Sequence, residues 1–221
     1  MKVKVLVIAA LFMVFGVSGA SAATIDLFEW AFNNDGTINS TVLPGGINST
    51  TGLGTASITI SGAGAHYFIA YFDHEIDEAI NTFFNESGGV VGAPAAGQSW
   101  EIDEPGFVYG DIYTNFLAGT LDNSYGLPPG ELDDVSMALG WSFSLLAGET
   151  ATISLQLATT PPLGGFYLQQ IDLDSQENIY FSSSVRIGGE GPVIPEPATM
   201  LLLGSGLAGL VGFGRKKLFK K

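Results

Sequence analysis

Residues 150–157 read Thr-Ala-Thr-Ile-Ser-Leu-Gln-Leu, and this run constrains the fold more than any other stretch of the chain. Side chains on a strand alternate between its two faces, so Ala151, Ile153, Leu155 and Leu157 share one side and the polar residues the other. Such a strand packs one face and wets the other, as in an antiparallel sheet covered on one side.

The same grammar recurs: short apolar runs separated by Gly, Pro, Asn and Asp predict strands over 24–32, 55–61, 66–72, 135–145, 150–157, 166–171 and 179–187. Ala147-Gly148-Glu149 reads as a hairpin connection that pairs the 150–157 strand with the one turning Leu139, Trp141, Phe143 and Leu145 inward. Ile76, Ala79, Ile80 and Phe83 fall at helical spacing and predict a helix over 76–84. The stretches 88–99 and 123–134 read as surface loops. No repeat of fixed period argues for a solenoid or propeller, so the expected fold is all-β, a jelly-roll-like antiparallel sandwich over residues 23–188.

The two ends are of a different kind. Lys2 and Lys4, an apolar run from Val5 to Val17, and Ala20-Ser21-Ala22 before Ala23 form the three-part layout of a secretory signal peptide, residues 1–22. Cleavage by signal peptidase is expected after Ala22, with Ala23 as the next position. The apolar run of about 13 residues is shorter than the roughly 20 needed to cross a bilayer. At the other end, Gly188 to Pro192 reads as flexible chain and places a linker at 189–194, after which residues 195–221 hold an apolar span over 198–213 and the basic residues Arg215, Lys216, Lys217, Lys220 and Lys221. The basic tail is expected to stay cytoplasmic, leaving the central domain outside. A span of about 24 Å, against a hydrocarbon core of roughly 30 Å, suits transient anchoring in the inner membrane.

Removing both ends removes almost all positive charge. Of 8 Lys and Arg only Arg186 remains, against 22 Asp and Glu, so the exported part carries a formal charge of about minus 21 with Glu196 retained. Nucleic acid is excluded as a partner, because binding it requires Lys and Arg to neutralise phosphates. Divalent cations and cation-bridged polymers are favoured. There is no cysteine, and a domain of this length buries a sufficient core without disulfides.

Catalytic motifs are wanting. Gly204, Gly206 and Gly209 form a G-x-G-x-x-G that lies inside the terminal apolar span, where no strand precedes it. His66 and His74 stand in no metal-binding spacing, and no serine sits in a G-x-S-x-G elbow. Carboxylates are the abundant reactive type, and their clusters are the chemistry calcium prefers. Asp73, Glu75, Asp77, Asp172 and Asp174 are the candidate calcium ligands, although the run from Asp172 lacks the EF-hand glycine. Paired carboxylates could also serve glycoside hydrolysis. Trp30, Trp100, Tyr109, Tyr113 and Tyr125 are candidates for stacking on sugars.

Val193-Ile194-Pro195-Glu196-Pro197, followed by Ala198 to Gly204 and then Arg215-Lys216-Lys217, resembles the PEP-CTERM tail. The resemblance implies recognition of Pro195, Glu196 and Pro197 by a membrane exosortase, removal of the tail, and placement at the surface of a Gram-negative cell that makes extracellular polysaccharide. Residues 134–187 also resemble β-rich domains found before such tails, which bring no assigned activity. The expectation is an exported, non-catalytic protein of the cell surface or extracellular matrix, with extracellular polysaccharide as a partner. A calcium-dependent carbohydrate-binding or adhesion module is the alternative and a polysaccharide hydrolase the third. No cofactor besides calcium is expected.

Overall fold

The computed structural model describes residues 23–79, 81–106 and 108–189. Ala20, Ala22, Pro195, Glu196, Pro197 and the 198–213 span therefore lie outside the described residues; Ala23 packs half-buried against the core.

The described residues form ten strands in two five-stranded antiparallel sheets. One sheet, A, has the order β2 (Thr37–Asn39), β1 (Ile25–Asn34), β4 (Gly64–Ile76), β7 (Ser136–Leu145), β6 (Gln98–Asp103). The other, B, has the order β3 (Gly54–Ser61), β8 (Glu149–Ala158), β10 (Asn178–Gly189), β9 (Tyr167–Asp172), β5 (Glu86–Val91). All seven strands expected from alternation are present, and the fold is an all-β sandwich. Ala151, Ile153, Leu155 and Leu157 are buried between the sheets, together with Phe68, Phe72, Leu139, Trp141, Leu168 and Phe181.

The expected hairpin at 147–149 is not formed. Strands β7 and β8 belong to different sheets, joined by a tight turn in which Glu149 N–H donates to Leu146 O (3.1 Å) and Leu146 N–H donates to Glu149 Oε2 (2.7 Å). Each strand has one strongly apolar face, and stacking those faces across the sandwich buries them against each other, which pairing edge to edge in one sheet does not do. Strand β7 pairs instead with β4 and β6, and β8 with β3 and β10.

The expected helix over 76–84 is likewise absent. Strand β4 continues to Ile76, Asp77 takes a left-handed φ of 59°, and only a 3₁₀ turn, Phe83–Asn85, follows. A nine-residue segment does not repay helix nucleation alone, and Ile76 gains more by staying in the core at 1 % exposure. The one α-helix among the described residues is α1, Ile112–Ala118. It lays Ile112 and Phe116 on the outer face of sheet A against Ile69, Tyr71 and Ala138 and ends at Gly119, φ 78°. No Cβ fits at Gly119, since it would stand 2.6 Å from the Tyr67 ring.

Sheet A is thus covered on both faces around β4, whose residues are buried without interruption from Phe68 to Ile76. Even-numbered residues of β4 face sheet B; odd-numbered ones face α1 and the loops around it. That second, loop-covered face carries the acidic residues.

Candidate functional site

Strand β6 places Trp100 and Ile102 toward the sandwich, so Glu101 and Asp103 point to the outer face beneath α1, and Asp73 and Glu75 of β4 point the same way. Asp73, Glu75, Glu86, Glu101, Asp103, Glu104 and Asp172 are all buried. Arg186, the sole Lys or Arg among the described residues, is exposed on β10 of the opposite sheet. The only ion pair among the described residues joins His66 Nδ1 to Asp35 Oδ2 at 2.7 Å, and it raises the histidine's pKa. Carboxylates taken out of water without a cation must be met by hydrogen-bond donors or take up a proton.

Two groups of carboxylates meet this demand differently. In the first, Asp73 stands opposite Ser136 on β7, but the Ser136 hydroxyl is engaged with Tyr71 Oη at 3.0 Å, and neither Asp73 oxygen has a well-formed hydrogen bond. Burial, then the charges of Asp134 and Glu75, drive its pKa well up. Burial chiefly, with Asp134 adding, lifts Glu75 to about 7, and burial with Asp133 lifts Asp134 to about 7. Glu86 lies at the start of β5; burial pushes it up to about 9, although Gln170 Nε2 donates to its Oε2 at 2.6 Å. The same Gln170 amide donates to His74 O at 2.6 Å, tying the two sheets together here.

The second group is Glu101, Asp103, Asp111 and Asp122. Asn115 Nδ2 of α1 donates to Glu101 Oε1 (2.9 Å) and Asp122 N–H donates to Oε2 (3.2 Å), while Asp111 N–H donates to Asp103 Oδ2 (3.1 Å). Burial holds Glu101 up at about 8 and raises Asp103. Asp103 Oδ1 lies against Gly126, whose N–H donates to Ile102 O at 2.9 Å. Glycine is required at 126, where a Cβ would stand 2.1 Å from Asp103 Oδ1, and at 110, where it would stand 2.1 Å from Glu104 O. One oxygen each of Glu101, Asp111 and Asp122 lies within 4.8 Å of the others.

Residues 193–216 match the family model described as the PEP-CTERM protein-sorting motif. The chain carries an exosortase sorting signal. It is the signal of an exported bacterial protein sorted to the cell surface. The motif includes Pro195, Glu196 and Pro197 and begins shortly after β10 ends at Gly189. No curated protein and no solved structure matches the chain.

The candidate ligands named from the sequence of this exosortase-sorted chain are distributed over separate tasks. Asp77 Oδ1 accepts from Thr24 N–H at 2.7 Å and fastens the start of the described chain to the end of β4. Asp172 Oδ1 accepts from the N–H groups of Asp174 (2.7 Å) and Ser175 (2.9 Å), its Oδ2 accepts from Asn81 Nδ2 (2.6 Å), and Asp174 Oδ2 accepts from Asn85 Nδ2 (3.1 Å). These bonds make Asp172 and Asp174 the frame of the β9–β10 turn. Asp73 and Glu75 sit together on sheet A, far in topology from Asp172. Of the two histidines, His66 is the partner of Asp35, and His74 is wholly buried, its pKa lowered by burial to about 4.

Sequence reading did not single out Glu101, Asp111 and Asp122 as one group. Glu101 and Asp103 alternate with Trp100 and Ile102, which marks a strand with an acidic face, but the expected loop over 88–99 covers its first residues and no strand was expected over 98–103. Asp111 and Asp122 bracket α1, and nothing in their spacing shows that the helix folds back onto β6.

Proposed function

We propose that the protein is a non-catalytic component of the cell surface or extracellular matrix, delivered there by exosortase. The sorting motif at residues 193–216, attached to a two-sheet module, is the observation that carries this reading. The chemistry of the module supports it. Glu101 and Asp103 are buried on the α1-covered face of β6, whereas glycoside hydrolysis needs its two carboxylates flanking an open cleft. The test replaces Pro195, Glu196 and Pro197 with alanine and follows mass and location in the native cell. Processed wild-type protein in the surface or polysaccharide fraction and unprocessed variant in the membrane fraction are expected; equal processing and location of the two would refute the reading.

A second reading, a calcium-dependent glycan-binding or adhesion module, is favoured by the outer face of sheet B. A groove of about 710 Å³ runs across β3, β8 and β10 there, lined by Thr55, Ser57, Ser154, Gln156, Ser182 and Ser184. Hydroxyls and amides in rows match the hydroxyls of a sugar chain, and Tyr167 and Tyr180 pair edge-on beside it, ring centroids 5.7 Å apart. A glycan array probed with the protein, with and without calcium, tests it: selective signal lost in a Gln156→Ala/Ser184→Ala variant supports the reading, and no signal in either condition refutes it.

A further inference from the structure

We infer, resting on the glycan-binding reading of the sheet B groove, that the groove takes a polysaccharide carrying carboxylate groups, with Arg186 as the residue that reads their charge. In each strand of sheet B alternate residues turn outward, and the ladder register brings those outward positions into rows across the sheet. The five strands contain three acidic residues, Glu86, Glu149 and Asp172, all at strand ends. Each falls on the inward alternation: Asp172 with buried Leu168 and Gln170, Glu86 opposite Asp172, and Glu149 with Ala151 and Ile153. None of the chain's 22 Asp and Glu therefore occupies an outward position of these strands. The one charged side chain that does is Arg186, the sole Lys or Arg among the described residues.

A solvent-facing sheet tolerates carboxylates, and a neutral glycan gives no reason to exclude them, because carboxylates accept hydrogen bonds from sugar hydroxyls. An anionic glycan does give one, since each Asp or Glu on the face would repel it. Register sets Ser57, Ser154 and Ser184 in one row of the groove and Thr59, Thr152 and Arg186 in the next. Along β10, Tyr180, Ser182, Ser184 and Arg186 present in order a ring, two hydroxyls and a cation, over about 20 Å of one strand face. The ring offers an apolar face to a sugar, and the guanidinium offers a planar fork that matches a carboxylate. Arg186 is exposed and has no ion-pair partner among the described residues. The acidic side of the molecule does not cancel it. Packed sheets stand about 10 Å apart, and the carboxylates beneath α1 lie on the far side of sheet A, beyond the roughly 8 Å screening length of physiological salt.

The experiment measures binding of the full chain, purified in detergent, to alginate and to polygalacturonate, each beside its methyl-esterified, uncharged form. EGTA is present so that no divalent ion bridges glycan and protein. The wild type should bind an acidic form at least tenfold more tightly than its ester, with the preference weakening as salt rises. Arg186→Gln should lose at least fivefold on the acidic form and nothing on the ester, and Arg186→Lys should keep part of the preference. Thr152→Glu, which sets a carboxylate opposite Arg186 in the same row, should lose as much as Arg186→Gln. Equal binding of acid and ester, a preference that Arg186→Gln leaves intact, or binding that needs calcium and ignores Arg186 overturns the proposal while the glycan reading stands. No binding to any form overturns it too, and the glycan array then decides the wider reading. A dimer of the full chain that Thr152→Glu dissociates gives the face to a second copy and likewise overturns it.

Discussion

Replacing Glu86 with glutamine should change how stability depends on pH. Glu86 is fully buried, and its carboxyl is raised from 4.5 to about 9, chiefly by burial, with the charges of Asp134, Glu75 and Asp73 adding to it and the Gln170 hydrogen bond opposing. A raised folded pKa means that the folded state holds a proton the unfolded chain has released. The stabilisation is therefore complete below about pH 4.5 and is lost as pH rises toward about 9, at about 1.4 kcal/mol per pH unit. Between pH 5 and pH 8 the wild type should lose about 4 kcal/mol that Glu86→Gln keeps. Glutamine fits, because Oε2 alone is hydrogen-bonded and the amide nitrogen can take the place of Oε1, which has no donor. His74 works with the opposite sign: its pKa is lowered to about 4, so its contribution is present above 6.5 and lost as pH falls toward 4. That term is common to both proteins and cancels in their difference. Urea unfolding of both in EGTA at pH 5, 6, 7 and 8 measures the difference, and parallel profiles, or a wild type that gains on the variant as pH rises, would refute the reasoning.

Gly52→Ala should destabilise by about 2–4 kcal/mol, since φ there is 66° and a Cβ would stand 2.4 Å from His74 Nε2. Gly45→Ala, where nothing lies within 4 Å, should stay within about 0.5 kcal/mol of wild type in the same denaturant series. Trp141→Phe removes the indole N–H that donates to Ser183 Oγ at 2.9 Å across the two sheets, and should cost about 1–3 kcal/mol by urea midpoint. Ile153→Ala opens a cavity between the sheets and should cost about 2–5 kcal/mol, read as a lowered thermal midpoint.

What the sequence made legible follows from which strands carry one apolar face. Residues 150–157 could be assigned, faces included, because alternation and burial coincide there. Strands β5 and β6 were hidden for opposite reasons. Gly88 in β5 is small because a Cβ would stand 2.5 Å from Ile102 Cγ2, so close sheet packing wears the composition of a loop. Strand β6 sets Glu101 and Asp103 on a buried face, where a hydrophobicity pattern expects solvent. The false helix over 76–84 arose because β4, buried on both faces, leaves Ile76 apolar at a position where a one-faced strand and a helix start look alike. Partner choice across the sandwich was beyond local pattern: the turn at 146–149 has hairpin length, and only the need to stack two apolar faces sends β8 into the other sheet.

The acidic composition was plain from the sequence, but its meaning depends on how each carboxylate is met. Asp172 and Glu104 are met by backbone N–H groups and build turns. Asp73 and Glu86 lie where donors run short and a proton is the cheapest answer. Glu101 and Asp103 stand between the two, because Asn115, Asp122 and Asp111 around α1 donate to them while burial still raises both.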